Sequence, residues 1–206
     1  MKIVGRKSSS NVQKVLWCCA ELDIEYECED AGREFGVVDT DAFFRMNPNR
    51  RVPVLIDGDF ILWESNAIVR MLSAKYGMGS FFPENLQARA NADRWMDWQL
   101  ATLGPGFTGM FHGLIRDKPE NRNLDAINKS IATTQANLEI LDGYLANSAF
   151  IAGDELTMGD IPIGIYAYRW YAFEDLERKP LPNLERWYAS LQERPAFREF
   201  VMVGLG

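Results

Sequence analysis

A single histidine, His112, stands in the 206 residues. Schemes that rely on several imidazoles, as metal ligands or in a triad with other partners, lack their material. Three cysteines, Cys18, Cys19 and Cys28, make an odd number with no C-x-x-C spacing, which fits neither a disulfide framework nor a zinc site. Basic residues are in deficit: 22 Lys and Arg face 29 Asp and Glu, a formal net charge of −7. Nucleic acid, whose phosphates call for basic patches, is disfavoured as a partner, and so is an anionic membrane surface. No apolar run nears the ~20 residues that a membrane-spanning helix needs. The opening MKIVGRK lacks the apolar stretch of a signal peptide, so the chain is expected to stay in the cytosol. There is no internal repeat and no low-complexity tract.

What is present is the composition of an ordinary globular protein, 47% hydrophobic and 25% charged. The length suits one full domain or two small ones. Up to about residue 76 the chain alternates strand-like and helix-like stretches. KIVG reads as a short strand, and Val12, Val15, Leu16, Cys19 and Leu22 then mark one helical face. EYECED reads as a second strand. VPVLIDGDFILWE reads as two strands around Asp57-Gly58, a hairpin signal because a type I′ turn needs positive φ. ESNAIVRMLSAKYG follows as a helix with Ser65, Ile68, Val69, Leu72 and Tyr76 on one face and Gly77 as its stop.

GMGSFFPENL has the glycine and proline of a linker. Beyond it the pattern is helical almost throughout, and TMGDIPIGIYAYRW, apolar nearly all round, is expected in the middle of a bundle. The expected organisation is a thioredoxin-like α/β domain over residues 1–79, a linker at 80–85 and an all-helical domain over 86–206. GPGF at 104–107 is expected to break or kink a long helix.

Four stretches carry a resemblance: SSNVQK at 9–14, NPNRRVPVL at 47–55, LWESNAIVRML at 62–72 and LTMGDIPIG at 156–164. Together, in this order, they resemble the bacterial glutathione S-transferases, close to the theta/nu-like cytosolic groups that use a Ser or Thr and an Asn at the first turn. The resemblance implies an N-terminal domain that binds glutathione as co-substrate, with no tightly bound cofactor and no metal. It also implies a C-terminal helical domain for a small electrophile, and a homodimer, usually in detoxification.

It further implies roles for particular residues. In the family pattern the hydroxyl that stabilises the glutathione thiolate lies two residues before the helix-opening Asn or Pro, here Ser9, with the Asn11 amide as a second donor. Ser8 stays open as a fallback. Ser10 with Gln13 forms an S-x-x-Q pattern, so Ser10 is expected to cap the helix. Val52-Pro53 corresponds to a cis step at which Val52 pairs with the tripeptide backbone. Arg51, with Arg50 next door, corresponds to a basic residue facing the glycine carboxylate. Glu64 and Ser65 correspond to the γ-glutamyl contacts, although an acid and a hydroxyl at a helix start are also locally favourable.

The remaining conspicuous residues have weaker claims. Trp95, Trp98, Phe107, Met110, Phe111, Tyr166 and Trp170 are candidates for an apolar electrophile pocket, but aromatics at helical spacing are more often core. Cys18 and Cys19 lie inside a helix and read as core rather than nucleophile. Thr157 with Asp160 is a T-x-x-D cap of structural character. Three activities remain open from the sequence: a glutathione transferase, a glutathione-dependent disulfide reductase, and a partner-binding relative without turnover.

Overall fold

The structure, a computed structural model, describes residues 1–205. The chain divides into two compact units, residues 1–84 with 194–204, and 85–193 with Leu205. In the first unit β1 (Lys2–Val4) and β2 (Glu27–Glu29) run parallel, joined by the crossover helix α1 (Ser10–Glu21). After α2 (Asp41–Met46), β3 (Val54–Asp57) and β4 (Phe60–Trp63) form the hairpin, and α3 (Ser65–Tyr76) ends at Gly77. The sheet order is β2-β1-β3-β4, a thioredoxin-like arrangement in which β3 is antiparallel to both of its neighbours. Of the two central turn residues of the hairpin only Gly58 has positive φ, 61°. That pattern fits type II′ rather than the type I′ expected, and it keeps the two-residue connection.

The register places the site. Val4 lies opposite Val54, and Val54 opposite Trp63. The turn after β1, the turn before β3 and the start of α3 therefore leave the sheet at one end. Between β1 and β3 the core holds Val4, Phe43 and Val54. α1 buries Val12, Val15, Leu16 and Cys19 as the periodicity predicts, and α3 buries Ile68, Val69 and Leu72.

α1 is also buried on its other side, at Trp17 and Cys18. Residues 194–204, which the sequence reading places in the helical domain, supply the cover. α9 (Pro195–Phe200) sets Phe197 edge-on to Trp17, ring centroids 4.8 Å apart. Arg194 Nε and Nη2 donate to the two carboxylate oxygens of Glu21 at 2.8 and 2.5 Å. Helical periodicity identifies α9 but not the surface it packs on.

The second unit contains α4 (Leu86–Trp98), α5 (Gly104–Phe111), α6 (Leu124–Leu145), α7 (Asp160–Tyr171) and α8 (Pro182–Gln192). The GPGF stretch does not break the helix: Leu103 and Gly104 keep helical φ and ψ, and a π-turn over Gln99–Leu103 joins α4 to α5 just before Pro105. A wider turn at this point accommodates a residue with no N–H to donate. Further on, Ser130 of α6 enters the ladder of α5. It accepts from Met110 N at 2.8 Å and donates to the Gly106 carbonyl. α7 is buried on nearly every side, as its composition predicts. Its Asp160 accepts from Thr157 N, Thr157 Oγ1, Ile151 N and Trp187 Nε1.

Candidate active site

Three segments of the first unit converge at the sheet end defined above: Ser9 to Asn11, Arg51 to Pro53, and Glu64-Ser65. Gly5 makes the convergence possible. Its φ is 151°, and a Cβ there would lie 2.6 Å from Val12 Cγ2 and 3.0 Å from Val52 Cβ. The backbone of Gly5 thus fills the space where α1 and the turn before β3 close on each other. Nothing in KIVG at the sequence level marks this glycine beyond its position at a strand end.

Ser9, not Ser10, holds the N-cap position of α1, with φ −79° and ψ 123°. Its carbonyl receives Gln13 N at 2.8 Å, but its hydroxyl makes no bond to the helix. Ser10 is the first helical residue. The expected Ser10–Gln13 box is absent, because the Gln13 side chain is buried and its amide atoms have no hydrogen-bond partner. The helix start therefore keeps its N–H groups uncapped by a side chain, and the Ser9 hydroxyl is not used by the helix.

Asn11, one residue into the helix, reaches α3. Ser65 Oγ donates to Asn11 Oδ1 at 3.3 Å. That is long for an O–H···O contact, so it exchanges readily for a better acceptor. With its oxygen turned to Ser65, Asn11 has its NH2 left to donate elsewhere. The start of α3 also lacks a side-chain cap, whereas α2 has Thr40 accepting from Phe43 N. Glu64 precedes it with φ 72° and ψ 110°, a left-handed-side backbone that is uncommon outside glycine. This conformation holds the exposed Glu64 at the helix start beside the buried Ser65.

Val52-Pro53 is cis. The two arginines before it differ in their surroundings. Arg50 Nη1 donates to the Val38 carbonyl at 3.3 Å, and the guanidinium lies over the Phe44 ring. Arg51 is exposed, and only its backbone carbonyl is held, by Asn47 Nδ2 at 2.7 Å. Cys18 and Cys19 are fully buried, and burial pushes both thiols up, that of Cys19 to about 12. Neither is a nucleophile in this state.

In the second unit the candidate electrophile residues separate. Phe107, Phe111 and Tyr166 form one ring cluster, Phe107 lying 6.0 Å from Phe111 and 5.3 Å from Tyr166. The Arg169 guanidinium sits 4.5 Å over the Phe111 ring. Met110 and Trp170 have no exposed surface, and Phe107 and Phe111 are buried core as well, at 3% and 5% exposure, while half-buried Trp98 packs edge-on to Trp95. A cavity of about 550 Å3 in the same unit is lined by Leu114, Ile115, Ile127, Ile131, Phe173 and Leu176 among others, and its Phe173 packs on Phe107, ring centroids 6.3 Å apart. Its aliphatic lining escaped the sequence reading, which followed aromatics. Among the described residues no group of three or more His, Cys, Asp or Glu is placed to hold a metal. None of their helices is long and apolar enough to cross a membrane.

Comparison with known proteins agrees with this geometry. Residues 1–73 match the family model of the glutathione S-transferase N-terminal domain, and residues 99–195 that of the C-terminal domain. The chain is 45% identical to glutathione S-transferase GstB of Escherichia coli K12 over 201 residues, which is 97% of this chain and 96% of that protein. It is 28% identical over 192 residues to dichloromethane dehalogenase of Methylorubrum extorquens, covering 85% of this chain and 65% of that one. Among solved structures it superimposes on the theta class glutathione S-transferase of Xanthomonas axonopodis pv. citri with glutathione bound. The TM-score is 0.95 and the identity 40%, with 100% of this chain and 98% of the other covered. The chain belongs to the glutathione S-transferase family.

Proposed function

We propose that this enzyme binds glutathione at the joined starts of α1 and α3 and activates its thiol for attack on a small electrophile. The observation that carries the reading is the Asn11–Ser65 contact between two helix starts that have no side-chain cap. Glutathione brings two carboxylates and a thiol that must ionise. Each helix start offers unpaired N–H groups and the positive end of a dipole.

In this reading Ser65 and the first N–H groups of α3 receive the γ-glutamyl carboxylate, and Glu64 takes the α-amino group. Val52 pairs with the peptide backbone, next to Pro53, and Arg51 faces the glycine carboxylate. The sulfur lies at the start of α1, where the Ser9 hydroxyl and the Asn11 NH2 donate to it. A free thiol has a pKa of ~8.5, so only a few per cent is thiolate at neutral pH. Lowering it by ~2 units takes ~2.7 kcal/mol. One hydrogen bond to a charged group, at ~1.5–3 kcal/mol, together with the helix end supplies that. The thiol proton leaves to solvent, and the thiolate sulfur forms a bond to the electrophilic carbon, by addition or with loss of a leaving group such as halide.

The electrophile surface is assigned to the second unit, where half-buried Tyr166, backed by the buried rings of Phe107 and Phe111, marks its apolar part. Glutathione is the co-substrate and no resident cofactor is required. A cytosolic homodimer is the working form. Calorimetric titration with glutathione tests the reading. Saturable binding is expected, weakened by Ser65→Ala and by Glu64→Ala. Absent binding, or binding indifferent to both changes, contradicts it.

A further inference from the structure

The walls of the aliphatic cavity in the second unit are built by specific contacts. α5 runs into a second π-turn over His112–Arg116, a feature often found at functional positions. Within it Gly113 admits α6, since a Cβ there would lie 2.4 Å from Ile127 Cγ1. Arg122 Nη2 donates to the Leu114 carbonyl at 2.8 Å and so closes one of the acceptors that this helix end leaves open. Another wall is the segment after α7, which Arg178 holds. Its Nη1 donates to the Leu176 carbonyl at 3.1 Å, and its Nη2 to those of Trp170, at 2.7 Å, and Phe173. Phe173 both lines the cavity and packs on Phe107, whose ring lies against Tyr166. One residue thus joins the cavity to the rings that back the electrophile surface.

The lining selects the occupant. At about 550 Å3 the cavity has the size of a small-molecule site. Ile115 and Leu124 line it and leave 39% and 65% of their surface in water, apolar area that an apolar guest would cover. Most of the apolar side chains are branched and aliphatic, with one ring, Phe173, among them. Such walls give a flexible chain close contact and a flat ring system little to stack on. The charges point to a neutral guest. The Arg122 guanidinium is turned to the Leu114 carbonyl, and one guanidinium stands against two carboxylates, those of the exposed Glu174 and Asp175. A carboxylate tail would lose hydration here and meet those two acids.

We propose that this cavity receives the tail of the electrophile, and that the enzyme acts on neutral straight-chain aliphatic electrophiles, of which a 2-alkenal is the type. The inference rests on the glutathione reading above and adds the class of the second substrate to it. In the reaction the thiolate sulfur forms a bond to C3 of the alkenal while the C2–C3 π pair shifts to C2. C2 then takes a proton from water, and the aldehyde is retained. Each methylene buried in the cavity strengthens binding by up to about fourfold.

The test varies the tail and then the cavity. At saturating glutathione, kcat/KM of the full-length protein is measured for 2-butenal, 2-hexenal and 2-octenal, each divided by the rate constant of the uncatalysed addition. The quotient is expected to rise about twofold to fourfold per methylene. Leu176→Trp, which fills the cavity, should cut the preference for 2-octenal over 2-butenal about tenfold. If Leu176→Trp does not fold, Ile131→Phe is read in the same way. 1-Octanol should compete with 2-octenal, and octanoate should do so about tenfold more weakly. A flat chain-length profile, a preference that the filled cavity leaves intact, or octanoate as strong as 1-octanol overturns the inference. If glutathione binds and 2-butenal is conjugated with no gain from added methylenes, the inference falls and the function stands. Absent glutathione binding is a different result and counts against the function itself.

Discussion

The Ser65 hydroxyl donates to Asn11 Oδ1 at 3.3 Å, across 54 positions of sequence, and so ties the first turn of α3 to the first turn of α1. Each partner has a ligand role in the proposed site: Ser65 toward the carboxylate, Asn11 toward the sulfur. Their effects should therefore be coupled. Ser65→Ala is expected to weaken glutathione binding by ~1–2 kcal/mol and also to slow turnover modestly, because Asn11 loses the partner that orients it. Asn11→Ala should mainly slow turnover. Titration and steady-state rates for both single variants and the double variant give the coupling. Strict additivity in both measurements would show that the contact carries no information between the two ends of the ligand.

Gly5 predicts a structural effect with a functional consequence. A methyl group at this position would meet Val12 Cγ2 at 2.6 Å. Gly5→Ala should lower stability by ~1–3 kcal/mol, the range of overpacking, and weaken glutathione binding as Val52 is displaced. Adding Val12→Ala removes the atom in the way and should recover part of the loss, which denaturant unfolding of the pair would measure.

Glu64 holds a backbone conformation better suited to glycine, φ 72°. Relief of strain there is worth ~1–3 kcal/mol, offset by the extra freedom that glycine gives the unfolded chain. Glu64→Gly is thus expected to keep stability within ~1 kcal/mol of the parent, while glutathione affinity falls by ~1.5–3 kcal/mol with the lost contact to the amino group. Thermal unfolding without ligand, beside calorimetric titration, separates the two effects.

Asp160 predicts a pH dependence in the helical unit. Burial is the largest influence on it and raises its carboxyl to about 6, while the four donors around it pull the other way. The native state then holds this proton more tightly than the unfolded chain, whose pKa is ~3.9. The stability contributed by that proton is complete below ~4 and is lost as pH rises toward 6, by roughly 3 kcal/mol in all. An asparagine cannot titrate. The stability gap between the parent and Asp160→Asn should therefore narrow from pH 4 to 6 and stay level above that, as followed by denaturant unfolding at each pH.

Some of this was legible in the sequence for definite reasons. Val12, Val15, Leu16 and Cys19 repeat at helical spacing and are buried together, and Asp57-Gly58 marks a turn that only a few residue types can make. Other parts were not legible. The S-x-x-Q pattern at Ser10 is satisfied on paper, yet Gln13 turns inward and the cap position belongs to Ser9. A pattern of residue types does not say which way a side chain faces. Phe197 is periodic in a helix, but its packing against Trp17 depends on contacts more than 170 residues apart. Phe107, Met110, Phe111 and Trp170 are marked by their apolar spacing, and all four are buried, because that spacing reports a helix face and not whether the face is open.

The most direct test of the account is the thiol pKa of bound glutathione, read from thiolate absorbance against pH in the parent, Ser9→Ala and Ser10→Ala. Ser9 presents a hydroxyl that its own helix does not use, and Ser10 makes no capping bond with Gln13. The account predicts a raised thiol pKa and slower turnover for Ser9→Ala, by ~1–2 units, with glutathione affinity nearly unchanged. For Ser10→Ala it predicts the parent's pKa and a stability within ~0.5 kcal/mol of the parent. A Ser9→Ala complex with the parent's thiol pKa and rate would contradict it.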